Sequence, residues 1–167
     1  MNNQSITETL ENLNIAPQEL GVIVVDHGSR VDRSNQLLNN VVELFVASSG
    51  LVIVEPAHME LSEPSIATAF DRCVSRGATT VVVHPYFLLP GRHWQDDIPR
   101  LAAAAAAKHA GVHHIVTAPL GIHPLMAAIM EDRIRQCLLA VNGAGEPCSL
   151  CEDEPKCASS AGPNVDR

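Results

Sequence analysis

Two short runs of valine and isoleucine, each followed within a few residues by a histidine, most constrain how this chain folds. Residues 22–25 lead into Asp26-His27-Gly28-Ser29-Arg30, and residues 81–83 lead through a longer loop to Gly91-Arg92-His93-Trp94. Continuous β-branched runs without alternation are typical of strands buried on both faces of a parallel sheet. Ligands of open α/β sheets bind outside the carboxyl ends of such strands. We therefore expect His27 and His93 to line one pocket.

The rest of the chain repeats one unit: an apolar run, a loop with glycine or proline, then a segment with helical periodicity. Strands are predicted near residues 21–26, 51–55, 79–84 and 113–118, and helices near residues 32–48, 63–76, 95–110 and 123–141. Pro64, Pro99 and Pro124 lie near the first turns of the last three helices, where proline is favoured. Ser62 is expected to cap the second helix. Four βα units predict an α/β fold with a central parallel four-stranded sheet flanked by helices.

The length and composition suit one domain with extensions. The chain has 167 residues and is 46% hydrophobic, which is enough for a single core but not for two. We expect an N-terminal extension over residues 1–20 and one domain over residues 21–141. Residues 142–167 are rich in Gly, Pro, Ser and acidic residues, a composition that predicts a flexible, cysteine-containing tail.

The composition argues against several classes of partner. The formal net charge is −8, and one Trp, one Tyr and three Phe offer no stacking platform, so nucleic acid is not expected. No apolar stretch reaches the ~18 residues of a membrane span. The N-terminal residues lack the layout of a secretory signal and are too acidic for an organelle transit peptide. We expect that any transit peptide has been removed from this chain.

The strand-end residues suggest metal chemistry on an organic ligand. Imidazole has an unperturbed pKa of about 6.5, which lets His27 and His93 accept protons or bind a divalent metal near neutrality. Glu60 follows the second predicted strand, and two histidines with one carboxylate are a known coordination for Fe(II) and related ions. A large, flat, acidic ligand would suit the surrounding residues, which are Ser29, Arg30, Leu89, Arg92 and Trp94.

Other interpretations of these residues remain open. A strand-end histidine more often hydrogen-bonds to a neighbouring loop than binds metal. We prefer that interpretation for six histidines: His58, His84, His109, His113, His114 and His123. Trp94 is equally suited to the core and to a pocket wall. Glu63 is interpreted as a first-turn charge favoured by the helix dipole.

Four motifs in order resemble a known family. They are His27-Gly28-Ser29-Arg30; Met59-Glu60-Leu61 with Pro64-Ser65-Ile66; residues 85–93 with Asp97-Ile98-Pro99; and Pro119-Leu120-Gly121. Over about residues 21–141 the chain resembles the small class II chelatases, specifically the sirohydrochlorin ferrochelatases of the SirB/CbiX type. The resemblance implies the chelatase-like, flavodoxin-like fold.

The resemblance also implies an activity and its residues. Members insert Fe²⁺ into sirohydrochlorin to form sirohaem, and small members pair as homodimers. The two site histidines of the family fall on His27 and His93, and its acidic residue falls on Glu60. A sirohydrochlorin cobaltochelatase, using Co²⁺ at the same histidines, and a non-catalytic metal or tetrapyrrole binder remain alternatives.

The tail carries a second candidate site. Cys148, Cys151 and Cys157 have the spacing C-x2-C-x5-C, and Cys137 lies upstream. Four thiols suit an iron–sulfur cluster or a structural zinc, with disulfides as a competing reading. The extension resembles that of plant plastid-type members, which implies a [2Fe-2S] cluster and a location in the plastid stroma. The fifth cysteine, Cys73, is expected to be a buried small hydrophobic residue.

Overall fold

Strands and helices alternate from residue 20 onwards. The computed structural model describes residues 5–146. The strands are β1 Leu20–Asp26, β2 Ile53–His58, β3 Thr80–Pro85 and β4 His113–Val116. The α-helices are α1 Ile6–Leu13, α2 Asp32–Ser49, α3 Ile66–Ser75, α4 Ile98–Ala106 and α5 Pro124–Val141. A 3-10 turn at Pro17–Glu19 precedes β1, and a π-helical turn at His93–Asp97 precedes α4.

The four strands form one parallel sheet in the order β2-β1-β3-β4. In this register Asp26 pairs with His58 and Val25 pairs with Pro85. The carboxyl ends of the three strands β2, β1 and β3 therefore lie side by side at one edge of the sheet. The predicted α/β class and the four-stranded parallel sheet are confirmed.

The first strand is buried on both faces, as its uninterrupted β-branched run predicts. Ile23 and Val25 belong to an apolar cluster with residues of α3 and α4. Val22 and Val24 belong to a second cluster with residues of α1 and α2. The alanine-rich tract forms most of α4, and its Ala102 and Ala105 are buried in the first cluster, so small side chains let this helix lie close to the sheet.

This layering opens a crevice at the carboxyl edge. The chain leaves β1 towards α2 on one face of the sheet and leaves the adjacent β3 towards α4 on the other face. Where neighbouring strands send their connections to opposite faces, the loops diverge and a ligand site forms between them. His27 follows β1 and His93 follows β3, so the topology directs both to this crevice.

The second strand lies further along the chain than the sequence indicates. It runs from Ile53 to His58, whereas the prediction placed it near residues 51–55 and left Pro56 outside it. That prediction was wrong because β2 is an edge strand of the sheet. A proline lacks a backbone N–H, and an edge strand tolerates this loss on its unpaired side.

The start of α3 also differs from its prediction. The helix begins at Ile66, after Pro64, and its N-cap is Ser65, whose hydroxyl accepts a hydrogen bond from the Thr68 backbone N–H at 3.3 Å. Ser62 is therefore not the cap. Pro99 and Pro124 do occupy the first turns of α4 and α5, as predicted.

The described chain divides into two compact units, with the boundary between Gly121 and Ile122. The second unit contains α5, in which no residue is buried. Within residues 5–146, no helix is both long and apolar enough to cross a membrane. The expected domain limits at residues 20 and 141 remain predictions, and Leu10 of the predicted N-terminal extension is buried in the second apolar cluster.

Candidate functional site

The two strand-end histidines lie against each other. The ring centroids of His27 and His93 are 5.2 Å apart, and the ring planes meet at 70°, an edge-to-face arrangement. Both side chains are close to half exposed, at 43% and 46%. The structure therefore brings together two imidazoles that are far apart in sequence and leaves them open to solvent.

Glu60 joins this pair from the loop after β2. Its Oε1 lies 2.9 Å from Nε2 of His27, and its backbone N–H donates to the carbonyl of His27 at 3.2 Å. The Met59 N–H donates to the Asp26 carbonyl at 2.9 Å. Backbone hydrogen bonds to the β1 side thus continue for two residues past the end of β2, and they hold Glu60 beside His27.

Gly28 makes this close approach of the two loops possible. Its φ is +84°, and a Cβ at this position would lie 2.1 Å from the carbonyl oxygen of Glu60 and 3.1 Å from Cβ of His58. Any larger residue would meet backbone atoms that cannot move aside, in a conformation that only glycine adopts readily. The glycine of the His27-Gly28-Ser29-Arg30 motif is therefore a requirement of packing between the loops.

A part-buried hydrogen bond between two side chains joins the two strands just before these loops. Nδ1 of His58 lies 2.6 Å from Oδ1 of Asp26, and the same oxygen accepts the Gly28 N–H at 2.9 Å. His58 is 3% exposed. The sequence alone assigns no site role to Asp26, because only the strand register shows that Asp26 and His58 are paired across β1 and β2.

His93 is oriented by a second carboxylate. Its Nδ1 lies 3.0 Å from Oδ2 of Asp97, one turn further along. The hydrogen bond from His93 is the main reason that the pKa of Asp97 is lowered, and Arg100 and Arg92 add to the effect. An ionised Asp97 can only accept, so Nδ1 of His93 carries the hydrogen, and in the neutral form of the imidazole the lone pair is on Nε2.

A π-helical turn, His93–Asp97, contains both members of this hydrogen-bonded pair. Single π-helical turns are frequent at functional sites. The sequence contains a signal for the role of Asp97, which is its i, i+4 spacing from His93 in a helical segment.

An apolar lip follows β3 and is formed by Phe87, Leu88, Leu89 and Pro90. The Phe87 ring stacks against His93 with centroids 6.4 Å apart. Leu88 and Leu89 are adjacent in the chain and are 60% and 66% exposed. The lip therefore offers apolar surface beside the imidazoles.

Trp94 is neither fully buried in the core nor fully exposed at the pocket, the two positions that the sequence left open. It is half-buried, and its indole Nε1–H donates to the Thr117 carbonyl at 2.8 Å. The hydrogen bond links the turn after His93 to the segment after β4. Trp94 thereby fixes one side of the loop that carries His93.

The polar residues predicted around the site lie on the two facing loops. Arg30 and Arg92 are both exposed. Ser29 is half-buried, its Oγ accepts the Val31 N–H at 3.1 Å, and its backbone N–H donates to Oδ1 of Asn35 at 2.9 Å. The Ser29 hydroxyl keeps its own hydrogen for another acceptor.

Four of the six remaining histidines have the local partners that were expected. His84 Nδ1 lies 2.7 Å from the Thr117 hydroxyl, and His109 Nε2 lies 2.7 Å from Asp71. His58 pairs with Asp26, and His123 accepts the Leu125 N–H at the start of α5. His113 and His114 are exposed on the edge strand β4.

Few side chains among residues 5–146 are placed where they could bind a metal ion together. Between residues 5 and 146, no group of three or more His, Cys, Asp or Glu side chains is arranged to hold a metal ion. Cys137 lies on α5 and is half-buried, whereas Cys148, Cys151 and Cys157 lie outside the described residues. Cys73 is buried in the core, and burial raises the pKa of its thiol to about 12.

The chain is similar in sequence to a curated plant protein. It is 51% identical over 137 residues to the chloroplastic sirohydrochlorin ferrochelatase of Arabidopsis thaliana, which covers 82% of this chain and 61% of that relative. The chain thus spans less than two thirds of the length of this curated protein.

Two solved structures share the fold. The sirohydrochlorin chelatase SirB from Bacillus subtilis subspecies spizizenii, in complex with cobalt, aligns with a TM-score of 0.66 and 32% identity over 70% of this chain and 50% of that chain. A putative cobalamin biosynthesis CbiX protein from Marinobacter aquaeolei aligns with a TM-score of 0.61 and 30% identity over 71% of this chain and 97% of that chain. These similarities confirm the chelatase-like fold that the motifs implied. Residues 21–137 match the CbiX family, and the chain belongs to that family.

Proposed function

We propose that this protein inserts Fe²⁺ into sirohydrochlorin to form sirohaem. The observation that carries the proposal is the meeting of His27, His93 and Glu60 at the open carboxyl edge of the sheet, with imidazole centroids 5.2 Å apart and a carboxylate at 2.9 Å. The similarity to the Arabidopsis thaliana sirohydrochlorin ferrochelatase supports the choice of substrate and metal.

The His27–Glu60 pair suits the proton chemistry of this reaction. A tetrapyrrole releases two protons from its inner N–H groups when it takes up a divalent metal. A neutral imidazole and an ionised carboxylate can together accept two protons, and the 2.9 Å contact lets a proton pass from Nε2 of His27 to Oε1 of Glu60. We assign the two residues this role as general bases.

His93 suits the metal. Asp97 accepts the Nδ1–H of His93 at 3.0 Å, so Nε2 is the nitrogen that can bind Fe²⁺ as substrate. With His27 close by, two imidazoles can replace part of the water shell of the ion before it enters the ring. We therefore propose that His27 and His93 deliver the metal, with Glu60 as a proton relay. A role for Glu60 as a further carboxylate ligand would require these side chains to rearrange, because within residues 5–146 no three such groups are arranged to hold a metal ion.

The surrounding residues suit the macrocycle. Leu89 and Trp94 offer apolar surface, and Arg30, Arg92 and the Ser29 hydroxyl can bind peripheral carboxylates. Each charge-assisted hydrogen bond contributes about 1.5–3 kcal/mol. A flat polyanion with an apolar centre matches a site that offers both an apolar lip and two exposed arginines.

An anaerobic incubation of the protein with sirohydrochlorin and Fe²⁺, followed by absorbance, tests the proposal. We expect the spectrum of sirohaem to appear at a rate well above that of the protein-free mixture. Tight binding of sirohydrochlorin without catalysed metal insertion would instead identify a non-catalytic tetrapyrrole binder.

A cobaltochelatase is the second candidate, because the SirB structure that this fold matches is a complex with cobalt. The affinity of nitrogen and oxygen ligands for divalent ions does not by itself select iron over cobalt. Competition between Fe²⁺ and Co²⁺ at equal concentrations in the same assay distinguishes the two. We expect iron to be inserted faster.

For the tail we propose a [2Fe-2S] cluster on Cys137, Cys148, Cys151 and Cys157. Cys137 is a half-buried thiol on α5, and four thiolates are the usual donor set of such a cluster. The cluster would supply one-electron redox chemistry, which metal insertion does not use, so we expect a sensing, stabilising or subunit-linking role. Visible absorption with iron and sulfide analysis of anaerobically purified protein tests this; a colourless protein with one zinc per chain would favour a structural zinc site instead.

We further propose that the protein forms a homodimer and acts in the plastid stroma. The name of the Arabidopsis thaliana relative, a chloroplastic protein, supports the location. Sedimentation velocity of the purified chain tests the dimer, with a single species of about twice the 17.9 kDa chain mass as the expected result.

A further inference from the structure

Leu61 holds a backbone conformation that leucine rarely adopts. Its φ is +69°, in the left-handed region, where the Cβ of an L-residue crowds the following carbonyl oxygen. Within residues 5–146, Asn14 is the other non-glycine residue with a positive φ, and it lies at the C-cap of α1, where asparagine is common. Leu61 has no such local reason for its conformation.

Hydrogen bonds on both sides hold Leu61 in this conformation. The Glu60 N–H donates to the carbonyl of His27 at 3.2 Å. On the other side, Nδ2 of Asn35 donates to the Ser62 hydroxyl at 3.0 Å, and the same amide is hydrogen-bonded to the backbone of Ser29. Glu60 is thus attached directly to the loop after β1, and Ser62 is attached to it through Asn35 of α2, so hydrogen bonds restrain the backbone on both sides of Leu61.

The strained residue does not serve the core. Leu61 is 53% exposed, although it is a large apolar side chain directly after Glu60. Val31 in the loop after β1 and Leu89 in the loop after β3 are also exposed, at 59% and 66%. Three loops at the carboxyl edge of the sheet therefore each present at least one uncovered apolar residue. Residues held in sparsely populated backbone regions cluster at active sites and ligand-binding loops.

We propose that Leu61 contacts a face of the tetrapyrrole macrocycle, and that its left-handed backbone is kept for this contact. The inference rests on the proposed function, because it takes a flat apolar macrocycle as the occupant. The apolar surface of Leu61 would lie beside the Glu60 carboxylate, which accepts pyrrole protons. Contact with Leu61 would therefore fix the distance between the plane of the macrocycle and this carboxylate. This makes Leu61 a substrate-binding residue that favours planar tetrapyrroles.

Two substitutions separate the contact from the strain. Leu61→Ala removes most of the apolar side chain and keeps a Cβ in the left-handed region, whereas Leu61→Gly removes both. We expect the dissociation constant for metal-free sirohydrochlorin, measured by fluorescence titration, to rise about 3–10-fold in both variants. We expect the melting temperature of Leu61→Gly to exceed that of Leu61→Ala by about 1–4 °C.

Leu44→Ala is the matched control, because Leu44 is a 72% exposed leucine on α2 outside the site, and its dissociation constant should equal that of the wild type. If the wild type binds and metallates sirohydrochlorin while both Leu61 variants bind it with unchanged affinity, the inference is wrong and the proposed function stands. If the wild type neither binds nor metallates sirohydrochlorin, the proposed function fails and the inference fails with it.

Discussion

Nδ1 of His58 donates to the Asp26 carboxylate over 2.6 Å, and this contact joins the last residues of β1 and β2 immediately before the loops that carry His27 and Glu60. Because the Asp26 oxygen also accepts the Gly28 N–H at 2.9 Å, one carboxylate fixes both the strand ends and the turn after β1. The distance between the His27 and Glu60 side chains therefore depends on the hydrogen bond between Asp26 and His58, which precede them in the chain.

Removing His58 should loosen this arrangement. Leu in its place would leave a part-buried carboxylate with one fewer donor, and we expect His58→Leu to lower the free energy of unfolding by about 1–3 kcal/mol in urea titrations. His58→Asn is the matched control, since its amide nitrogen can replace Nδ1 as a donor, and it should lose less. Equal stability of His58→Leu and wild type would show that the pair does not support the loops.

His27→Ala and His93→Ala should each slow sirohaem formation by about 100-fold or more, because each removes a base or a metal ligand. The rate is measured anaerobically at saturating sirohydrochlorin, with circular dichroism to verify folding. His113→Ala is the control, because His113 is exposed at the opposite end of a strand, and its rate should match the wild type. Near-normal turnover in both site variants would contradict the assignment of His27 and His93 as bases or metal ligands.

Asp97→Ala should reduce the rate of metal insertion by about 10–100-fold, since partners that orient a metal-binding histidine have effects of this size. The loss should appear mainly as an increase in the Fe²⁺ concentration that gives half of the maximal rate, because Asp97 sets which His93 nitrogen carries the hydrogen. Asp96→Ala removes a neighbouring exposed carboxylate and serves as the control. If the two variants respond alike to Fe²⁺ concentration, the orienting role of Asp97 is not supported.

Arg30→Ala and Arg92→Ala should raise the Michaelis constant for sirohydrochlorin and largely spare the chemical step, because their contacts are made equally in the bound substrate and in the transition state. Loss of one charge-assisted contact predicts an increase of about 10-fold or more in steady-state kinetics. Lys108→Ala, which removes an exposed cation beyond the carboxyl end of α4, controls for net charge. An unchanged constant in both arginine variants would place the ring carboxylates elsewhere.

Acid should destabilise the protein in part through His84. Burial lowers the pKa of this imidazole, so the folded state favours its neutral form. The unfolded state then binds a proton that the folded state resists, and stability falls as the pH drops through the ordinary histidine pKa of about 6.5.

The His84→Asn variant isolates this effect. The Thr117 hydroxyl donates to the Ala118 carbonyl, so it accepts the hydrogen bond from Nδ1 of His84, and an amide nitrogen can replace that donor. Urea titrations at pH 7.5 and 5.5 should show a smaller loss of stability in the variant than in the wild type. A loss of the same size in both proteins would exclude His84 as a source of the pH dependence.

Much of the fold could be read from residue types alone. The β-branched run at residues 22–25 predicts a strand buried on both faces because such side chains pack well on a pleated surface, and the structure places Val22 and Ile23 in opposite clusters. The alanine-rich tract predicts α4 through intrinsic helix propensity. The motifs around His27 and His93 identified the family, because each lies at a strand end.

Other features depended on which strands become neighbours. Pro56 belongs to a strand only because β2 takes the edge of the sheet, and the hydrogen bond between Asp26 and His58 exists only because their strands pair in that register. The conformation of Leu61 follows from hydrogen bonds to a loop more than twenty residues away. Local sequence determines the elements through propensity and pattern, whereas contacts between distant segments, which no local pattern encodes, decided how the site is held together.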